Sequence, residues 1–189
     1  MKQNYITYLF LIFIANSVFC QKSNEKNHQI NIGIPEVALI SVHNGNSLIN
    51  LQGSNVTKAG KKVIFNVEDS STWINYSSII GSIGESSRFV TLEISEGKVP
   101  DGLELLVKAS KDVGEGNGQL GKPANSRQIL DQNPIKIIEN IGSCYTGVGT
   151  NKGHNISYLL KLSGEENSYS KLDFDQSQTI AITYTLSDN

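Results

Sequence analysis

Thr179-Ile180-Ala181-Ile182-Thr183-Tyr184-Thr185-Leu186 places a large apolar or aromatic side chain at every second position. Ile180, Ile182, Tyr184 and Leu186 then share one face of an extended chain, and the threonines share the other. A period of two is the signature of a strand with one face inward and one in water. The same rhythm recurs upstream. It carries Ile156, Tyr158, Leu160 and Leu162, then Leu103, Leu105, Val107 and Ala109, then Val90, Leu92 and Ile94. Ile30, Ile32 and Ile34 alternate with Asn31 and Gly33, and residues 37–42 and 63–67 form further apolar runs. Trp73 and Ile74 lead into Tyr76.

The connectors suit tight reversals. Asn44-Gly45-Asn46 tolerates positive φ, and Pro100-Asp101-Gly102 pre-sets a turn before Leu103. Residues 114–121 and 142–153 read as long glycine-containing loops. The best helical candidate, residues 135–141, is too short to be stable alone. About nine short strands separated by turn signals predict an all-β, antiparallel β-sandwich. A closed barrel is the main alternative. An outer-membrane barrel would need strands of roughly ten residues and aromatic girdles. Aromatic residues make up only 7% of the chain, which argues against that form.

Charge narrows the function classes. The 189-residue chain carries a net charge of -2, and only 18% of its residues are charged. This disfavours both a basic nucleic-acid surface and an acidic disordered tail. Two cysteines exclude a disulfide-dense scaffold, and three histidines leave little for a multi-histidine metal site.

Residues 1–20 read as a signal peptide. Lys2 is the positive start, residues 8–15 (YLFLIFIA) are the apolar core, and Val18-Phe19-Cys20 is the cleavage region. The uncharged stretch is shorter than a spanning helix requires, so no transmembrane segment is expected after cleavage. Lipidation at Cys20 is the weaker alternative, because Phe19 occupies the place where a small residue is needed. Removal of the leader leaves Cys144 as the one thiol, so no intramolecular disulfide is expected. Residues 21–28 (QKSNEKNH) read as a flexible tether, and residues 29–189 as the β-sandwich domain.

The final strand, of the form I-x-Y-T-hydrophobic close to the C-terminus, resembles the chaperone-usher pilin and spore coat protein U superfamily. Val99-Pro100-Asp101-Gly102-Leu103-Glu104-Leu105 looks like the middle of such modules. The resemblance implies an immunoglobulin-like, pilin-like sandwich with a structural role at the cell surface. It implies no catalytic residue and no cofactor. In such a role Ile30, Ile32 and Ile34 are candidates for a strand donated to a like subunit, with alternate side chains filling pockets on a sheet edge. The simpler expectation is that they form the domain's own first strand.

Few constellations could carry chemistry. Cys144 and His154 would form a nucleophile and base only if the fold juxtaposed them. Gly114-Glu115-Gly116-Asn117-Gly118 and Gly147-Val148-Gly149 lack the following helix that phosphate binding needs. Glu68-Asp69, Glu165-Glu166, and Asp173 with Asp175 and Gln176 read as solvated turn residues. Trp73 is expected in the core beside Ile74 and Tyr76; exposed, it would be a candidate for stacking on a sugar ring. The expected function is an exported, non-enzymatic structural or adhesive protein of the periplasm, cell surface or extracellular space. Its expected partners are like subunits or other surface proteins. The alternative is a secreted glycan-binding module.

Overall fold

Most of the period-two segments become strands in the computed structural model, which describes residues 26–44, 48–84 and 86–189. The chain divides into two units, Met1–Ile34 and Pro35–Asn189. In the first unit, residues 26–34 have no regular structure, and Ile30, Ile32 and Ile34 are 73, 85 and 80% exposed. The strand expected over residues 30–34 is therefore not formed. Alternation records a face that could be buried; it does not supply the neighbouring strand. The expected leader lies outside the described residues, as do residues 21–25 of the expected tether.

The second unit is all-β. Its strands are β1 (Val37–Asn44), β2 (Asn66–Ile79), β3 (Arg88–Glu96), β4 (Leu103–Ala109), β5 (Asn117–Pro123), β6 (Gln128–Ile129), β7 (Ile135–Tyr145), β8 (His154–Leu162) and β9 (Ala181–Asp188). They form one antiparallel sheet in the order β6-β4-β8-β2-β7-β3-β9, with β1 on β2 and β5 on β7. Among the described residues there is no α-helix, only two short 3-10 turns after β8. The long β2 is the hub. Residues 66–74 pair with β8, residues 72–79 with β1, and Ser77 and Ser78 reach β7.

Tyr158 on β8 and Tyr184 on β9 have three strands between them in the hydrogen-bonded order. On a flat sheet that separation would be roughly 19 Å. Their hydroxyls are nevertheless hydrogen-bonded to each other. The sheet therefore folds over, and its two limbs enclose a single core. Ile74 and Tyr76 of β2 meet Val90 and Leu92 of β3, Val107 of β4, Ile141 of β7 and Ile156 of β8 in that core. Burial of these apolar faces is the main favourable term holding the limbs together.

Further regions differ from their sequence reading, and the expected loop over residues 142–153 begins later, because residues 142–145 are the end of β7. The short helical candidate at residues 135–141 lies in β7. Ile137 and Ile138 are both buried there, the pairing with β3 shifts register, and Asn140 has φ 58°. Such irregularities break the period of two that would have revealed the strand. Part of the expected loop over residues 114–121 is β5. Gly118 has φ 92°, and a Cβ there would strike the Ser143 carbonyl and the Cys144 backbone. This glycine allows two backbones to approach closely.

Candidate functional site

The inward face of β2 places Tyr76 beside His154, the first residue of β8. Their rings stack with centroids 5.5 Å apart and planes inclined by 16°. Tyr76 Oη lies 2.7 Å from His154 Nε2, and the Tyr76 hydroxyl also donates to the Leu120 carbonyl. His154 Nδ1 lies 2.8 Å from the Ser110 carbonyl. A carbonyl can only accept, so Nδ1 carries a proton in this contact. In the neutral imidazole the one proton of Tyr76 then faces two acceptors. His154 is completely buried. Burial holds its imidazole below the ordinary histidine range, outweighing the carbonyls of Ser110 and Leu120 and the nearby Asp112. Burial, reinforced by Cys144 and Asp112, raises the Tyr76 hydroxyl far above its ordinary value.

Ser110 and Leu120 also line a cleft of about 840 Å³. One wall is the end of β4 and the residues that follow it, and the other is β5 with its continuation to Asn125. Lys108, Lys111 and Lys122 stand on these walls, and Asp112, with Asn155 and Ser157 of β8, also lines the cleft. All three lysines are exposed, and none forms an ion pair among the described residues. Asp112 Oδ1 is buried and has no hydrogen-bond partner among the described residues. Burial raises the Asp112 carboxyl, and His154 works in the opposite direction more weakly.

The candidates named from sequence distribute as follows. Cys144 is 8% exposed and adjoins the Tyr76 cluster, but no hydrogen bond joins it to His154. Burial pushes its thiol up to about 11, with Asp112 adding to the shift. A protonated thiol and an imidazole with both nitrogens engaged do not make a nucleophile-base pair. Trp73 is half-buried, whereas Thr72, Ile74 and Tyr76 are buried. The core position expected for Trp73 is thus corrected: the pleat turns it to the outer face, opposite His43 on β1 and Asn155 on β8. Ile30, Ile32 and Ile34 remain exposed, as described above.

The acidic sets engage separate partners. Glu68 pairs with Arg127 at 2.5 Å, and Asp69 accepts from the backbone and hydroxyl of Ser71. Glu165 pairs with Lys171 at 2.5 Å. Asp173 accepts from the Asp175 backbone, while Gln176 exchanges hydrogen bonds with Asp101. Among the described residues no three His, Cys, Asp or Glu side chains are grouped to hold a metal. Both glycine loops lead into strands. Gly149 donates its N–H to Asn75 Oδ1, 2.8 Å away.

Sequence reasoning missed the Tyr76–His154 pair because the two residues are far apart in the chain. It also missed the cleft. Its one local signal was Ser110-Lys111-Asp112, charged residues directly after an apolar strand. No family model matches the chain, and comparison with curated proteins and with solved structures finds no match. No helix among the described residues is long and apolar enough to cross a membrane.

Proposed function

We propose that this chain is an exported structural or adhesive subunit of the cell surface, acting by binding rather than by catalysis. In this reading the folded-over sheet is an immunoglobulin-like, pilin-like sandwich, residues 1–20 direct export, and like subunits join by strand addition. The observation that carries the reading is the exposure of Ile30, Ile32 and Ile34, three apolar side chains at period two on a segment in no strand. Exposed apolar side chains grouped in this way mark a surface suited to a partner. Supporting it, β1, β5, β6 and β9 each pair on one side only among the described residues. Such edges offer unpaired N–H and C=O groups to an incoming strand.

Size-exclusion chromatography with light scattering tests the reading on the exported protein. The unaltered protein should form oligomers. The triple substitution Ile30→Ser, Ile32→Ser, Ile34→Ser should yield monomers with unchanged circular dichroism. A monomeric unaltered protein, or oligomers indifferent to the triple substitution, would remove strand addition through this segment. Recovery in the cytosol with residues 1–20 intact would remove export.

A further inference from the structure

We propose that the cleft between the end of β4 and β5 binds an anionic saccharide. This inference is independent of self-assembly, since none of the residues it uses lies in the segment 30–34.

Three features of the cleft define the ligand. The first is charge. Lys108 and Lys111 stand on one wall and Lys122 on the other, all without ion-pair partners among the described residues. Across β5's pairing with β7, Lys122 faces Glu139 in register, so Lys108 and Lys111 are the cations free of a facing acid. Two uncompensated cations on one wall select an anion.

The second feature is Asp112. A carboxylate beside the lysines would repel a simple anion, yet Asp112 lines the cleft. Its Oδ1 is closed to solvent, so the oxygen a ligand can meet is Oδ2. A carboxylate oxygen only accepts, so it calls for a hydrogen-bond donor from the ligand, and a hydroxyl supplies one. The ligand must therefore carry both negative charge and O–H donors, which a sulfate ion does not, while inorganic phosphate, although it keeps an O–H at neutral pH, fills little of the cleft.

The third feature is the lining and its size. Ser110, Asn125, Asn155 and Ser157 provide hydroxyl and amide groups, while Leu120 and Pro123 provide apolar wall for C–H faces. Among the described residues no aromatic side chain lines the cleft, so none of them would stack on a nucleobase. A volume of about 840 Å³ lies toward the upper end of small-ligand pockets and has room for more than one sugar ring.

Lys108 and Lys111 would then pair with the carboxylate or sulfate groups, and Asp112 would accept from a ring hydroxyl. The charged group is either carboxylate or sulfate, and the choice of probe separates them.

The test is isothermal titration calorimetry of the whole exported protein with four probes. These are an oligogalacturonate, a sulfated oligosaccharide of equal length, a neutral malto-oligosaccharide, and inorganic sulfate. At least one of the two anionic saccharides should bind, and the better of them identifies the charged group. The neutral saccharide and inorganic sulfate should each bind at least about tenfold more weakly. The double substitution Lys108→Ala, Lys111→Ala should reduce binding of the preferred saccharide by at least about tenfold.

Asp112→Ala is the decisive variant. Charge alone predicts tighter anion binding when the carboxylate is removed, whereas an acceptor for a ligand hydroxyl predicts binding about tenfold weaker. The substitution also removes an unpaired buried group, so the fold should tolerate it. Thermal unfolding of each variant establishes that the fold is intact. Four results would overturn the proposal: no binding by either anionic saccharide, equal binding of the neutral one, equal binding of inorganic sulfate, or unchanged or tighter binding by Asp112→Ala.

Discussion

Arg88 Nε donates to Asp188 Oδ1 across 2.6 Å, joining the first residue of β3 to the last residue of β9. The same guanidinium reaches Glu36 Oε1 at 2.9 Å and donates to the Val37 carbonyl at the start of β1. Arg88 is 1% exposed, so this charge is removed from water and depends on its partners. Asp188 is half exposed, which screens the pair. Asp188→Ala should cost about 1.5 kcal/mol in urea unfolding. In an Arg88→Met background the same substitution should cost less than about 0.5 kcal/mol, since nothing buried then needs the carboxylate. Equal costs in the two backgrounds would show that Asp188 acts through something other than Arg88.

His154 sets a pH dependence with a definite sign. Burial holds its folded pKa below 6.5, so the unfolded chain takes up a proton before the folded one does. Its stabilising contribution is complete above about pH 6.5 and is lost as pH falls toward the folded pKa. The slope is at most about 1.4 kcal/mol per pH unit. Asp101 and Glu104, held low chiefly by hydrogen bonds from Gln176 and from the Gly164 backbone, lose stability in the same direction at more acid pH. Asp112 has a raised pKa and opposes the trend; His154→Gln removes the pull by which His154 lowers it, which flattens the variant's slope further. Urea midpoints between pH 7.5 and about 5 should fall for the unaltered protein and fall less steeply for His154→Gln. Parallel lines for the two proteins would place the pH dependence elsewhere.

Cys144 should be silent in the native state. It is buried beside β5, and its thiol is pushed up to about 11, so almost no thiolate exists at neutral pH. With iodoacetamide at pH 8, modification should proceed only at the rate of unfolding and accelerate in urea. Rapid alkylation of the native protein, measured by mass spectrometry, would show the thiol to be accessible and would reopen its role as a nucleophile.

The legible part of this fold was the part where each residue behaves alike along a strand. Val90, Leu92 and Ile94, or Ile156, Tyr158 and Leu160, are buried in strict alternation, and β3, β4, β8 and β9 follow from that. Legibility ended where geometry departs from the ideal pleat. β7 hides its period behind the adjacent buried pair Ile137 and Ile138, and β5 carries glycines that resemble a loop until β7 is seen against it. Trp73 follows the alternation of β2, but its apolar neighbours Ile74 and Tyr76 and the usual burial of large aromatics favoured the core and misplaced it. Of the site, Cys144 and His154 were visible as residue types only. The contact that matters, Tyr76 to His154, spans 78 positions in sequence, and no local pattern encodes it.

Gly153, immediately before His154, tests how tightly the buried pair is positioned. Its φ is 73°, and a Cβ there would drive into the Ile74 carbonyl and come within 2.7 Å of Asn75 Nδ2. Gly149, in the same loop, has φ 100° but nothing within 4 Å of a Cβ. Both alanine variants therefore incur the strain of a positive φ, about 1–2 kcal/mol. Only Gly153→Ala adds a collision with backbone, and the residue cannot retreat because it is bridged to Val113 through hydrogen bonds of 2.9 and 3.0 Å. The expected costs in urea unfolding are about 1 kcal/mol for Gly149→Ala and at least about 3 kcal/mol for Gly153→Ala. The second variant should also displace His154, since the chain must shift by the adjoining residue. The His154 imidazole resonance in NMR should then titrate closer to pH 6.5 than in the unaltered protein, because a displaced ring regains water. Similar costs for the two glycines, with an unmoved resonance, would mean that the loop yields freely and that the Tyr76–His154 pair is held from the β2 side alone.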